Sequence, residues 1–375
     1  MRIAVDALGL PPYGGARSSA LAWLTALAEL DRDNEYIVFL SRREAILRQF
    51  SNLDQRVVPA SGRFLPRVWA QVSLPGIVRR ERIDLVHFMK NLGAFFVPCA
   101  SILTINDLTR LAFPKMFSRV DVAYWKLLQP LLLNRVDGII AISESTKRDI
   151  ISWFRVPEEK VIVIYPAQRA LFRVLNDRAN VDKMRSKYKL SNMILYVGGM
   201  AVHKNLITLI KAFFLLKQGK GIPHRLVVVG GQYHTHNETR VLDLVSDWGP
   251  QEVIFTGVVS DEDLVALYNA ADLSVLPSLY EGFGLVALEA MACGVPVVAS
   301  RAGALPEVIG DAGILVDNPT NESELAAAMD RVLSDQALKQ KLMAAGLQRA
   351  SHFSWENTAQ STLEVYQEIV SQGLY

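Results

Sequence analysis

Short Val- and Ile-rich runs alternate with helical patterns twice along these 375 residues, and that alternation leaves few folds open. Ile3–Leu8, Tyr36–Leu40, Leu85–Met89, Ile102–Ile105, Gly138–Ile142 and Val161–Tyr165 read as strands. Several are almost continuously apolar, as strands covered on both faces of a sheet must be. Helical patterns such as Ala16–Leu30 and Val120–Asn134 fall between them. The pattern then restarts, with strands at Ile194–Val197, Leu226–Val229, Val253–Phe255, Leu273–Leu276, Val297–Ala299 and Ile314–Val316. Helices are expected at about 205–218, 238–248, 261–270 and 284–293. Strand–helix alternation implies parallel strands joined by helical crossovers, so the prediction is α/β, with two doubly wound parallel sheets facing a cleft. The polar stretch Asp177–Ser191 reads as the linker, giving domains 1–176 and 177–354. Three helical patterns, about 322–334, 335–350 and 355–370, close the chain, with a break at Ser351-His352-Phe353-Ser354.

The length suits two domains, and a half-hydrophobic composition excludes a disordered chain. No apolar run approaches about 18 residues, so no transmembrane helix is expected. Met1–Asp6 reads as an opening strand and not as a secretory signal. Cys99 and Cys293 lie far apart in apolar contexts and are read as reduced core thiols, which points to the cytoplasm. The net charge of +2 conceals an asymmetry. Residues 1–180 carry 25 Lys/Arg against 17 Asp/Glu, a balance of +8, and the remainder carries −6. Such a division suggests an anionic partner for the first half. No nucleic-acid module or basic tail is present, so a membrane surface fits better than nucleic acid. Basic and aromatic residues mix at Arg63-Phe64-Leu65-Pro66-Arg67-Val68-Trp69, Lys115-Met116-Phe117 and Tyr124-Trp125-Lys126, as a peripheral contact with anionic lipid would require. Buried tryptophans and solvated arginines are the alternative reading of the same residues.

The chemistry concentrates at residues 277–294, Pro-Ser-Leu-Tyr-Glu-Gly-Phe-Gly-Leu-Val-Ala-Leu-Glu-Ala-Met-Ala-Cys-Gly. Glu281 precedes a Gly-Phe-Gly turn, and Glu289 follows about two turns along an Ala/Leu-rich helix that Gly294 and Pro296 end. A helix mouth with small residues offers backbone N–H groups and a positive dipole end, a seat for phosphate. Two acceptor-only carboxylates near that seat suit a ligand carrying phosphate and hydroxyls together, such as a nucleotide sugar. This Glu-x7-Glu pattern resembles the signature of the family 4 retaining glycosyltransferases, which have the GT-B fold of two Rossmann-like domains. The resemblance implies that Glu281 meets the donor sugar's hydroxyls and Glu289 the ribose. It implies also that the backbone at Gly282, Phe283, Gly284 and Leu285 approaches sugar and diphosphate. In this family the last helix, here 355–375, crosses back onto the first domain.

Other segments fit the same resemblance. Gly198-Gly199 begins a turn after a strand, and Lys204 matches the family's phosphate-binding lysine. Gly199 stands where the family often has Arg, and His203 where a second cation is common. Gly14 and Gly15 fit the first domain's glycine loop, Pro11-Pro12-Tyr13-Gly14-Gly15, which would close on the donor phosphate. The loop matches neither the dinucleotide-binding nor the Walker pattern. Thr104-Ile105-Asn106-Asp107 resembles a Thr-x-His-Asp segment near the anomeric carbon, with Asn106 in place of His. Asparagine donates a hydrogen bond but takes up no proton. Asp107 either orients the acceptor or caps the next turn. Ser143 reads as a helix N-cap, as does Ser260 with Asp263, and Val258 and Val259 lie where relatives hold the base through backbone groups.

The resulting expectation is a retaining, metal-independent hexosyltransferase of the bacterial polysaccharide type. It would use a nucleoside-diphosphate sugar, with UDP-hexose favoured and GDP-mannose allowed, and a glycan or lipid-linked acceptor. Glu281, Lys204, Asn106 and Asp107 would be its catalytic group, working in the cytoplasm at the inner face of the membrane. The alternatives are a nucleotide-sugar epimerase or phosphorylase on the same fold, or a non-catalytic donor-binding partner. Asp31-Arg32-Asp33 spells a metal-binding Asp-x-Asp but follows a helix, so it reads as a polar turn. His234-Thr235-His236 lacks a third ligand nearby, and no metal or other cofactor is expected.

Overall fold

The central strands of the first sheet carry their side chains alternately to two separate apolar layers. A computed structural model describes residues 1–10, 14–60, 65–89, 91, 93–231 and 236–372. It divides into two units, Met1–Ala167 with Phe353–Tyr375, and Gln168–His352. The seven parallel strands of the first unit are β1 (Arg2–Asp6), β2 (Glu35–Leu40), β3 (Leu53–Val57), β4 (Leu85–Phe88), β5 (Ala100–Ile105), β6 (Gly138–Ala141) and β7 (Val161–Val163). Their order across the sheet is β3-β2-β1-β4-β5-β6-β7. In β1, Ile3 and Val5 join a core with Trp23, Leu24 and Leu27 of helix Gly15–Leu30 and Tyr366 and Ile369 of helix Trp355–Ser371. Ala4 faces the other core, with Ala70, Leu74, Trp125 and Leu132. The two-residue side-chain period thus accounts for the near-continuous hydrophobicity of these runs.

The second unit repeats the plan with six parallel strands: β8 (Met193–Val197), β9 (Arg225–Val229), β10 (Val253–Gly257), β11 (Leu273–Leu276), β12 (Val297–Ser300) and β13 (Gly313–Val316). Their order is β10-β9-β8-β11-β12-β13. The strand order reverses between β1 and β4 in the first unit and between β8 and β11 in the second. Crevices at such reversals, beyond the carboxyl ends of the strands, are where doubly wound sheets bind ligands.

Three sequence expectations change. The polar stretch Asp177–Ser191 is not a linker but holds helix Ala179–Tyr188, whose Val181 and Met184 are buried. The units divide instead at Ala167/Gln168. The helix expected over Val120–Asn134 is two, Arg119–Leu127 and Gln129–Arg135, because Pro130 has no N–H to continue the ladder. Strand β3 went unread because it is an edge strand whose Asp54-Gln55-Arg56 core is polar and only half covered. Asp31, by contrast, does end a helix as a turn. It accepts hydrogen bonds from Asp33 N (3.0 Å), Asn34 N (3.3 Å) and Asn34 Nδ2 (2.7 Å), and from the Tyr36 hydroxyl.

Helix Trp355–Ser371 is fastened to the first unit by a buried polar set. Trp23 Nε1 donates to Thr362 Oγ1 at 3.2 Å. His87 on β4 shares one hydrogen bond with the Tyr366 hydroxyl (2.6 Å) and another with Thr104 Oγ1 on β5 (2.7 Å). Burial lowers the His87 pKa to about 3, so the ring is neutral.

Candidate active site

In the second unit the candidate residues gather at the reversal between β8 and β11. After β8 the chain makes a tight turn, Val202–Lys204, and Asn205 (φ 55°) starts helix Leu206–Lys220. After β11 it runs through Pro277 and Ser278 to Glu281. The two loops are tied by backbone, Leu279 N donating to His203 O at 2.7 Å, and by Asn205 Nδ2 donating to Pro277 O at 2.9 Å. Lys204 Nζ therefore meets Glu281 Oε1 at 2.7 Å, and the Ser278 hydroxyl donates to the same oxygen at 2.7 Å. Burial raises the Glu281 pKa, but Lys204 and Ser278 outweigh it and hold the carboxyl below its ordinary value. Glu281 is thus an ionised acceptor with one oxygen anchored and its partner cation beside it.

The turn after Glu281 is set by glycine. Gly284 adopts φ 102°, and a Cβ there would come within 2.7 Å of Leu305 Cδ2. It caps helix Leu285–Ala292. Gly303, after β12, lies at φ 54° against the Glu281 backbone, where a Cβ would sit 2.3 Å from Glu281 O. Ala304 N closes this contact with a hydrogen bond to Glu281 O at 3.0 Å. The Ser300 hydroxyl donates to Ser278 O from the same strand end. Three successive strand ends thus fix one carboxylate.

Glu289, on helix Leu285–Ala292, belongs to a second polar group. The buried Tyr268 hydroxyl donates to Glu289 Oε2 at 3.0 Å. The Tyr268 ring packs edge-on against Phe172, with the Arg169 guanidinium 5.1 Å from the Phe172 ring. Arg169 also pairs with Asp261 through two hydrogen bonds, the longer 2.9 Å. Burial lifts the Glu289 pKa to about 7, against the hydrogen bond from Tyr268 and the charge of Arg169. Two carboxylates eight positions apart therefore hold opposite tendencies, one kept charged and one near neutrality. Val258 and Val259 follow β10, the first exposed and the second half-covered.

Two family models match the chain. One, described as glycosyl transferases group 1, covers residues 177–349, and the other, glycosyltransferase family 4, covers residues 13–167. An O-antigen chain mannosyltransferase B of Escherichia coli is 33% identical over 71% of this chain and 70% of its own length. The chain belongs to glycosyltransferase family 4. Another relative, an MMP alpha-(1->4)-mannosyltransferase of Mycolicibacterium hassiacum, is 31% identical over 78% of this chain and 72% of its own. Among solved structures, Anabaena HepE in complex with UDP-glucose superposes with a TM-score of 0.76 at 21% identity, covering 98% of this chain and all of that one. At that identity the likeness carries the GT-B fold alone.

Against the family pattern, the second unit brings Lys204, His203, Glu281, Gly284 and Glu289 to one reversal of its sheet. The first unit places its candidates at its own strand ends. Gly14 (φ 97°) caps helix Gly15–Leu30, while Pro11, Pro12 and Tyr13 of that loop lie outside the described residues. Asn106 N donates to the buried Asn91 Oδ1 at 2.7 Å, and Asp107 Oδ1 accepts from Thr109 N at 3.0 Å, capping the next turn. Ser143 and Ser260 cap their helices, accepting from Thr146 N and Asp263 N. Arg63, Phe64, His234 and Thr235 lie outside the described residues. Among the described residues no group of three His, Cys, Asp or Glu side chains is arranged around a common point.

Sequence reasoning missed Ser278, Tyr268, Arg169 and Gly303. Gly303 alone carried a signal, as a glycine just beyond a strand end. The others act through tertiary contacts that no local pattern announces.

Proposed function

We propose that this family 4 chain transfers a hexose from a nucleoside-diphosphate sugar to a glycan or lipid-linked acceptor, with retention and without a metal. The observation that carries this reading is the Lys204–Glu281–Ser278 cluster at the β8/β11 reversal. The donor would sit in the second unit. Glu281, ionised and oriented, would accept from sugar hydroxyls, and Glu289 from the ribose. Lys204 and the backbone from Gly282 to Leu285 would stabilise charge on the departing diphosphate, the largest source of acceleration in such a site. The first unit would hold the acceptor near Asn106 and Asp107, and proximity would contribute the rest. No side-chain nucleophile is assigned.

The mannosyltransferase relatives favour mannose as the sugar, and thus GDP-mannose over the UDP-hexose to which the sequence reading leans. The acceptor is placed at the inner face of a membrane, which suits the positive balance of the first half. A thermal-shift screen with UDP, GDP, ADP and their sugars, with and without EDTA, tests the donor. A shift for one nucleotide, retained in EDTA and lost in Glu289→Ala, supports the reading. Sugar transfer to glycan fractions then separates the rivals. An epimerase converts the donor with no acceptor, a phosphorylase requires free phosphate, and a non-catalytic partner binds the donor without turnover.

A further inference from the structure

Asn91, in the segment that leaves β4 at the carboxyl edge of the first sheet, is buried and sits in the left-handed region at φ 50°. Side chains other than glycine adopt that backbone only at a cost. Three hydrogen bonds hold it there. Its N–H donates to Thr104 O on β5 at 2.9 Å, its carbonyl accepts from Gln129 Nε2 at 3.0 Å, and its Oδ1 accepts from Asn106 N at 2.7 Å. Just beyond, Gln71 of helix Leu65–Val72 donates to Gly93 O at 2.9 Å and accepts from Phe95 N at 2.9 Å. Two glutamines from two helices thus pin one loop at the end of β4.

Gln129 is the costly member of this set. It opens helix Gln129–Arg135, whose Leu132 and Leu133 are fully buried, and it is itself 0% exposed. Its Nε2 serves Asn91 O, but among the described residues its Oε1 has no hydrogen-bond partner. Turning the amide over would set Oε1 against Asn91 O, two acceptors face to face, so the orphan oxygen follows from holding that carbonyl. An unpartnered buried amide oxygen destabilises a fold, and a methionine would fill similar space without one. What the amide secures is Asn91, and through Asn91 Oδ1 the backbone of Asn106 directly after β5. The Asn106 side chain is half-buried, and its own amide makes no hydrogen bond among the described residues.

We propose that Asn91 and Gln129 are positioning residues that fix Asn106 so that its side-chain amide meets a hydroxyl of the acceptor sugar. The amide offers a donor and an acceptor side by side, and a sugar hydroxyl pairs with either. The left-handed Asn91 backbone and the orphan Gln129 oxygen are then stability given up for geometry, as where a side chain must be held in place before its ligand arrives. Neither Asn91 nor Gln129 touches the sugar; both act through Asn106. Such a role rests on the proposed placing of the acceptor near Asn106, and it names a neutral hydroxyl as the group recognised there.

Initial rates of transfer to a fluorescent mannose-terminated oligosaccharide test this, with GDP-mannose or UDP-glucose as donor, whichever shifts the melting temperature. Rates are compared well below each variant's melting temperature, so that a loss of stability alone leaves them unmoved. Asn91→Gly accepts the left-handed backbone freely and removes the oxygen that Asn106 N binds. It should lower kcat/KM for the acceptor by about tenfold or more and leave KM for the donor unchanged. Asn91→Asp keeps an oxygen facing Asn106 N and should stay within about twofold of wild type. Gln129→Met, which fills the volume without the donor group, should lower the same ratio. Asn91→Gly combined with Asn106→Ala should be no slower than Asn106→Ala alone, since both changes act through one amide. Unchanged acceptor kinetics in Asn91→Gly or Gln129→Met, an Asn91→Asp as slow as Asn91→Gly, equal losses toward donor and acceptor, or strictly multiplicative losses in the double variant overturn the proposal and leave the proposed function standing. A wild type that binds its donor yet transfers sugar neither to this probe nor to glycan fractions overturns both.

Discussion

Lys204 Nζ and Glu281 Oε1 stand 2.7 Å apart although 77 positions separate them in sequence, and the Ser278 hydroxyl shares the same oxygen. The pairing gives Glu281 a fixed orientation before any ligand arrives, and it makes the cation's position depend on the carboxylate. Glu281→Gln, which keeps the shape and loses the charge, should lower kcat/KM for transfer by about 10²-fold or more. Lys204→Met should act on the same step and on donor affinity. The double variant should cost less than the product of the two, since both residues act as one unit. Steady-state kinetics on the four proteins checks this, and strictly multiplicative losses would contradict the coupling.

Glu289 supplies a proton signal. Burial raises its pKa from 4.5 to about 7 in the unliganded protein. Ribose hydroxyls donating to it would favour the charged form and lower that value. Nucleotide binding should therefore release a fraction of a proton near pH 6.5, and affinity should rise with pH through that region. Calorimetry in buffers of different ionisation enthalpy measures the release. It should vanish in Glu289→Gln, and Tyr268→Phe, which removes one donor to the carboxylate, should move the transition to higher pH.

The same group affects folding. A carboxylic acid whose pKa is raised in the folded state contributes stability below its unfolded value, and that contribution is lost as pH climbs through the folded value. Between about pH 4.5 and pH 7 the second unit should lose stability from this source. Glu289→Gln should flatten that part of a plot of urea midpoint against pH.

His87 works in the opposite direction. Its pKa falls from 6.5 to about 3 on burial, so the unfolded chain binds a proton where the folded one does not. Stability from this residue is complete above pH 6.5 and declines as pH drops toward 3. Denaturant titrations of wild type and His87→Gln should show a shallower acid slope in the variant, whatever its stability at neutral pH.

Gly303→Ala places a methyl group 2.3 Å from Glu281 O on a backbone at φ 54°. Relief of this clash must move the loop that carries Glu281. The expected loss is about 1–3 kcal/mol of stability, together with weaker donor binding. Gly219→Ala, in a helix with open space around the position, is the comparison that should leave donor binding unchanged.

Much of this was legible in the chain because the features are local. The strands at Ile194–Val197 and Leu273–Leu276 announce themselves by continuous hydrophobicity, since both faces of each sheet are covered. The Glu281–Glu289 spacing was visible for the same reason, lying on one turn and one helix. What escaped depends on contacts distant in sequence. Strand β3 looked too polar because it pairs on one side only, and helix Ala179–Tyr188 looked like a linker because only Val181 and Met184 anchor it. Nothing in the residues around Tyr268 hints that its hydroxyl reaches Glu289. The opposite tendencies of the two glutamates follow from their partners and not from the motif.

Helix Trp355–Ser371 bears on how the protein is made. Trp23 and His87 emerge from the ribosome some 270 or more residues before Thr362 and Tyr366, their hydrogen-bond partners. Until those partners arrive, one face of the first sheet is covered only in part, by helix Gly15–Leu30, and His87 lacks its partner Tyr366. The second unit, Gln168–His352, is an unbroken segment and can fold first, inverting the usual order of synthesis. The first unit is therefore the part that stays incomplete longest during synthesis, because it waits for residues that follow the whole of the second.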